Sequence, residues 1–226
     1  MGQHAYYTLV ASLPYLPHFE RAERLPISEK RLRERLRMLE ADDIEVVRRG
    51  VEFLAWRDHP TERTDAEMVS RYQRLMAISP HPRLKEFIDF IIDQRTIMVA
   101  LRRAHLGLPA PRPGEPWGVG RWVRHIEQHW DDETFKLRRI YPWIPEAKTY
   151  LATGDMLKLE RLQMNLVWTH VERETQDHYF GLEAVLAYLF KWNLVREWLI
   201  HNTDAAKARF AELVAEVWHE NNDGVR

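Results

Sequence analysis

The sequence predicts a mainly all-α protein, a helical bundle of about eight helices arranged in two halves. Glycine is scarce, with 9 residues among 226, and the stretches between proline clusters carry apolar residues at helical spacing. Helix-start signals precede several of these stretches. With 45% hydrophobic and 30% charged residues, the composition is typical of a globular chain that buries a sizeable core.

Composition also excludes several classes of function. The chain has no cysteine, which excludes disulfides, thiol nucleophiles and cysteine-ligated metals and fits a cytoplasmic protein. Its formal net charge of -1 argues against nucleic acid as a partner of the whole chain. No apolar run reaches the roughly 18 residues that a membrane span requires, so no direct span is predicted.

The N-terminal elements are predicted in order from local signals. Residues 6–13, YYTLVASL, suit either a short extended strand or a buried helical turn, and Pro14 and Pro17 end this segment. Ser28 is an expected N-cap for a charged helix that runs to about residue 38. A second helix is predicted over residues 43–56.

The middle of the chain contains the predicted boundary between the halves. Thr64–Glu67 forms a capping box, which starts a helix ending near residue 79, and a strongly apolar helix follows from 82 to about 106. The segment GLPAPRPGEPWG then holds four prolines and three glycines. The expected organisation is therefore an N-terminal helical half at 1–106, a Pro/Gly-rich linker at 107–118 and a C-terminal helical half at 119–226.

Four helices are predicted after the linker, at residues 119–140, 155–176, 181–201 and 204–219. The sequence YPWIP, residues 141–145, is predicted to be a turn because it contains two prolines. Gly-rich phosphate loops and nucleophile-elbow motifs do not occur in the chain.

Charged residues in the helix at 82–106 fall on two sides when positions advance by about 100° each. One set lies opposite the apolar arc and is predicted to form a polar exterior, namely Asp89, Asp93, Thr96 and Arg103. This pattern is typical of an amphipathic helix.

Other polar residues fall inside apolar arcs. Gln94, Arg95 and Arg102 lie within the arc of the helix at 82–106, and Asn193 and Arg196 interrupt the stripe of the helix at 181–201. Buried polar and charged groups need partners, unless long stems carry the charge to water. We expect these five residues to form a structural polar network or to bind a partner.

His125 and His129 are the candidate metal ligands. Their spacing of four residues on a predicted helix would let two imidazoles reach one metal, with acids from the helix at 155–176 as further ligands. The stronger His-Glu-x-x-His pattern does not occur, since Ile126 follows His125. A helical metal-dependent enzyme is therefore an alternative hypothesis, and no cofactor is expected under the main one.

Three stretches together resemble a known family. YYTLVASLP at residues 6–14 is similar to the start of an uncharacterised bacterial family that accompanies V-type ATPase components. That family is related to the A/V-type ATPase component known as C, or as d in eukaryotes. FIDFIIDQRTIMVALRRAHLGL at residues 87–108 and AVLAYLFKWNLVREWLIHNTD at residues 184–204 resemble two further helices of that component.

The resemblance implies an all-helical body without enzymatic activity. In that family the body lies at the cytoplasmic, inner face of the membrane, on the rotor ring of proteolipid subunits, where it receives the central stalk. The implied function is a peripheral subunit or assembly component of a V-type ATPase, with central-stalk subunits and the proteolipid ring as partners. A free-standing helical adaptor with an aromatic docking groove is a further alternative.

Overall fold

The computed structural model describes residues 5–54, 69–70, 72–74, 82–112 and 114–201, and all regular elements among these residues are helical. The prediction of an all-α bundle is confirmed. The helices are α1 (Tyr7–Ser12), α2 (Glu29–Leu36), α3 (Ala41–Leu54), α4 (Pro82–His105), α5 (Val123–Gln128), α6 (Ile144–Thr153), α7 (Met156–Thr175) and α8 (residues 182–201), with a 3-10 turn at Phe19–Arg21.

Several predictions can be compared with these bounds. Within the segment 6–13, residues 7–12 are helical, which settles the choice between strand and helix. The capping box at Thr64–Glu67 and the predicted helix at 204–219 lie outside the described residues. Among the helices that are described, none has both the length and the hydropathy that crossing a membrane would require.

The chain forms two compact units that differ from the predicted halves. Unit 1 combines the described residues up to Glu40 with those from Phe180 onward, and unit 2 runs from Ala41 to Tyr179. The predicted linker at 107–118 lies inside unit 2 and contains the buried Trp117. The proline-rich composition identified an irregular segment correctly, but that segment packs against helices and does not separate domains.

Unit 1 joins the two ends of the described chain. The backbone N–H of Tyr6 donates to the carbonyl of Phe180 over 2.6 Å. The indole N–H of Trp192 on α8 donates to the carbonyl of Ile27 over 2.9 Å. Phe19 is fully buried and meets Trp198 edge-on, with ring centroids 5.2 Å apart. Aromatic side chains of α8 therefore hold the loop that precedes α2.

Unit 2 is centred on α4. Helices α6 and α7 pack against each other and against α4, while α3 and α5 make further contacts with it. A contiguous apolar core links α4 with the segments that follow it, and its largest members include Ile97, Leu101, Trp117, Phe135 and Trp143. Burial of this many large apolar side chains is the main stabilising contribution to the unit.

The predicted polar exterior of α4 is wrong for two of its four residues. Asp93 is 1% exposed and Thr96 is 2% exposed. The reason is the segment after the helix, which folds back over this side of α4. The Thr96 hydroxyl donates to the carbonyl of Val119 over 2.6 Å and accepts the backbone N–H of Val119 over 3.2 Å. Periodicity alone does not reveal such a covering segment.

The predicted helix at 119–140 is much shorter in the structure, because α5 ends at Gln128. One carboxylate oxygen of Asp132 accepts hydrogen bonds from the backbone N–H groups of Thr134 and Lys136, at 2.8 and 2.9 Å. Phe135 and Lys136 take left-handed backbone conformations, with φ of 52° and 54°. The turn places the Phe135 ring in the buried core.

Helix α6 was not predicted, because the YPWIP segment was interpreted as a turn alone. Pro145 lies in the first turn of α6, where its missing N–H has no consequence. The helix ends at Thr153, and Gly154, with a φ of 71°, is its left-handed C-cap. Asp155 then caps α7 by accepting the backbone N–H of Lys158. The proline therefore starts a helix immediately after the turn.

Two glycines allow a test of how closely the segment after α4 packs against that helix. Both Gly114 and Gly120 have positive φ, at 83° and 93°, so alanine strains the backbone at either position. An added Cβ at Gly120 would lie 3.1 Å from a methyl of Ile92, whereas one at Gly114 would meet nothing within 4 Å. We expect Gly114→Ala to cost about 1 kcal/mol and Gly120→Ala roughly 1–3 kcal/mol more.

Chemical denaturation followed by tryptophan fluorescence measures this difference. Gly114→Ala is the matched control, because it carries the same backbone strain without the contact to α4. Equal losses of stability in the two variants would contradict the close packing of residue 120 on α4.

Candidate functional site

A cavity in the described part of unit 2 lies between α4 and α7. It has a volume of about 520 Å³ and is also bordered by Arg121 and by the segment from Ile140 to Trp143. The two helices run antiparallel here, since Gln94 contacts Gln163 while Phe90 contacts His170. We call this space the α4–α7 cavity.

A buried carboxylate, that of Asp93, bonds to two residues that border this cavity. A single oxygen of Asp93, Oδ2, accepts hydrogen bonds from Arg121 Nε over 2.9 Å and from the Tyr141 hydroxyl over 3.0 Å, and Arg121 Nη2 lies 2.8 Å away. The Trp122 indole N–H donates to the Tyr141 hydroxyl over 2.7 Å. These four residues, Asp93, Arg121, Trp122 and Tyr141, are called the Asp93 cluster below.

The electrostatics of the Asp93 cluster follow from its burial. Desolvation raises the pKa of Asp93, and the Arg121 guanidinium and the Tyr141 hydroxyl oppose this effect by stabilising the carboxylate. Burial likewise raises the pKa of Tyr141, and the adjacent carboxylate acts in the same direction. The Arg121 side chain is 67% exposed and borders the α4–α7 cavity, so solvent reaches the residue that pairs with Asp93.

His170 forms part of the cavity wall on α7. Its ring stacks on Phe90, with centroids 3.8 Å apart and an angle of 8° between the planes, and it meets Phe87 edge-on. Burial lowers the pKa of His170 to about 4, an effect to which Arg173 adds and which Glu174 and Glu86 oppose. The imidazole is therefore neutral at physiological pH and packs as an aromatic ring.

The outer part of the cavity is polar. Asp89 is paired with Lys85 and accepts a hydrogen bond from the Tyr72 hydroxyl over 3.1 Å. Burial, aided by Asp89, raises the pKa of Tyr72 to about 12. Arg173 contacts Glu174 over 3.3 Å. Charges of both signs are thus balanced locally around the opening.

The three polar residues predicted within the apolar arc of α4 have different environments. Gln94 is buried, and its amide donates to the backbone carbonyl of Gln163 on α7 over 3.0 Å. Arg95 is half-buried, and Arg102 is exposed, so its guanidinium reaches water. Gln94 therefore connects two helices.

The two polar residues predicted on α8 lie in unit 1. Asn193 is buried and donates to the carboxylate of Glu197, one turn later, over 2.9 Å. Arg196 is half-buried, with its guanidinium carbon 5.7 Å from the centre of the Trp192 ring. These two residues and the three on α4 belong to separate units, and Asn193 bonds within its own helix.

The two histidines proposed as metal ligands make hydrogen bonds to the backbone. His125 Nε2 lies 2.9 Å from the carbonyl of Phe135, and His129 Nδ1 lies 2.8 Å from the carbonyl of His125. Their rings stack with centroids 4.4 Å apart. Among the described residues, no group of three or more histidines or acids is placed to hold a metal ion.

Sequence reasoning missed the contacts of Asp93 and the role of Arg121. The available signal was the GVG sequence at residues 118–120, because paired glycines allow a backbone to approach a helix closely. An added Cβ at Gly118 would lie 3.0 Å from the Thr96 methyl. A polar residue on the helix face that such glycines approach is a candidate for burial.

The Asp93 cluster predicts a large difference between two acids on the same helix. Asp93→Ala leaves the buried Tyr141 hydroxyl without its acceptor and Arg121 without its partner, so we expect a loss of about 2–3 kcal/mol in unfolding free energy. The partial exposure of Arg121 keeps this value below that of a fully buried pair. Denaturant melts measure the loss.

Asp89→Ala is the matched control, one turn earlier on α4. Asp89 is partly exposed, and its pairing with Lys85 at the surface contributes about 1 kcal/mol or less. A loss at position 89 as large as that at position 93 would show that the Asp93 cluster has no special role.

His170 makes the stability of the protein sensitive to acid. The ordinary histidine pKa of 6.5 falls to about 4 in the folded state. Between these values the unfolded chain takes up the proton and the folded chain does not, so folding stability decreases as the pH drops through this window. His170→Phe keeps the ring stacked on Phe90 and removes this titration.

Urea melts of the wild type and of His170→Phe between pH 7.5 and pH 4 test this expectation. The other histidines are common to both proteins, so the difference between the two profiles isolates His170. We expect the variant to lose less stability than the wild type on acidification. Parallel profiles would contradict the burial of a neutral imidazole.

Comparison with known proteins adds no relative to this description. Neither the models of known families nor the curated proteins and solved structures contain a match to the chain.

Proposed function

We propose that the chain is a non-catalytic peripheral component of a V-type ATPase, linking the central stalk to the membrane rotor ring as a subunit or assembly factor. The observation that carries the proposal is where the three resembling stretches lie in the fold. They form α1, α4 and α8, with α1 and α8 in unit 1 and α4 at the centre of unit 2.

The polar residues of these stretches support a mechanical role. Gln94 and Asp93 on α4 are buried and hydrogen-bonded to other segments of unit 2, and Trp192 on α8 is bonded to the loop before α2. A buried hydrogen bond whose partner is removed costs roughly 1–3 kcal/mol, so each contact resists relative sliding of the segments it joins. A body that transmits torque benefits from such internal connections.

Affinity capture from the native host tests the proposal. The tagged chain is isolated from gently solubilised membranes at low and at high salt, and the co-purifying proteins are identified by mass spectrometry. We expect central-stalk and proteolipid subunits of a V-type ATPase at low salt, and an unrelated helical protein with the same tag is the control. Failure to recover any ATPase subunit at low salt contradicts the proposal.

Two measurements, this capture and an analysis of bound metal, separate the alternatives. A free-standing helical adaptor would recover a partner unrelated to the ATPase. The metal-dependent enzyme using His125 and His129 predicts bound metal on protein purified without a histidine tag, measured by elemental analysis.

A further inference from the structure

A second cavity lies in unit 1, along the segment that leads into α2. Its volume is about 790 Å³, and its polar border includes Arg21, Arg24, Arg31 and Glu23. Leu25 and Pro26 contribute an apolar wall. We call this space the arginine cavity. It shares no residue with the α4–α7 cavity and lies in the other unit.

The charge of the arginine cavity is unbalanced. Three arginines and one glutamate give a formal charge of +2, that is, three positive charges minus one negative charge. Within the described chain, the guanidinium groups of Arg21, Arg24 and Arg31 make no hydrogen bond or ion pair. Other arginines are paired, for example Arg33 with Glu29. Unpaired cations around one cavity leave their hydrogen-bond donors available to a ligand.

Contacts with buried side chains of unit 1 fix the backbone that carries these arginines. Arg21 ends the 3-10 turn that begins at Phe19, whose buried ring contacts Trp198. Ile27 forms part of the cavity, and its carbonyl accepts the Trp192 indole N–H over 2.9 Å. Arg31 is in the first turn of α2, beside the buried Leu32. A fixed backbone lowers the cost of ordering the cationic side chains around a ligand.

We propose that the arginine cavity binds a phosphate monoester. A phosphate monoester carries a charge of about −1.5 to −2 at neutral pH, which complements the formal charge of +2. Guanidinium groups match phosphate oxygens through paired hydrogen bonds. The volume and the apolar wall provide room for an organic part of the ligand in addition to the phosphate.

Two sources can supply this chemistry, a soluble organic phosphate and the headgroup of phosphatidic acid in a membrane. Glycerol 3-phosphate is the soluble probe, used in calorimetric titration, with glycerol and sulfate as comparison ligands. Vesicles of phosphatidylcholine with and without phosphatidic acid are the membrane probe, used in flotation. Binding of the soluble probe alone assigns the site to free phosphates, and binding of the phosphatidic acid vesicles alone assigns it to the headgroup.

The cavity variant combines Arg21→Gln, Arg24→Gln and Arg31→Gln. The matched control combines Arg33→Gln, Arg35→Gln and Arg37→Gln, which removes the same charge from exposed positions of the same unit outside the cavity. We expect the control to bind within about threefold of the wild type. We expect the cavity variant to bind roughly tenfold more weakly or worse, since it loses three charge-assisted contacts.

Three results would overturn the proposal. One is a wild type that binds neither probe, or that binds vesicles equally with and without phosphatidic acid. Another is an equal loss in both triple variants, which would assign the attraction to overall charge. The last is undiminished binding in every single variant, Arg21→Gln, Arg24→Gln and Arg31→Gln, and these also decide the matter if the triple variant does not fold. The proposal is independent of the ATPase assignment, so either can fail alone.

Discussion

The hydrogen bonds to Oδ2 of Asp93 are the polar constraint that fixes how neighbouring segments of unit 2 are arranged around α4. Arg121 and Tyr141 both bond to this one oxygen on α4. The segment that follows Gly120 and the segment that precedes α6 are therefore joined to α4 at a single atom. A carboxylate that is 1% exposed is tolerated only when its partners are in place. The position of these segments therefore decides whether α4 can be buried on this side.

In unit 1, contacts between uncharged groups likewise fix the position of a neighbouring segment. The Trp192 indole bonds to the carbonyl of Ile27, and the Phe19 ring packs against Trp198, so α8 determines the path of the loop before α2. Both proposed properties of the molecule rest on such contacts. The internal connections suit a body that bears load, and the fixed loop presents arginines around a cavity. Rigid packing below the surface makes both roles physically reasonable.

The sequence predicted the positions of the helices better than the burial of individual side chains. Apolar periodicity and the Ser28 cap located α2, α4, α7 and α8 within a few residues, because these signals are local. The burial of Asp93 and Thr96 and the grouping of the chain into units were missed, because they depend on which distant segment covers a helix. The helix predicted at 119–140 was too long, because the Asp132 carboxylate instead holds a turn through the N–H groups of Thr134 and Lys136, a preference that periodicity does not register.

The division of unit 1 between the two ends of the chain has a consequence for biosynthesis. Ala41–Tyr179 is continuous, so unit 2 can begin to fold as it leaves the ribosome, whereas α1 and α2 must wait for α8. The partners Ile27 and Trp192 are separated by 165 residues, and contacts of such long sequence separation form slowly. Until they form, the Phe19 ring lacks its contact with Trp198, so we expect unit 1 to stay open to chaperones and proteases for longer than unit 2.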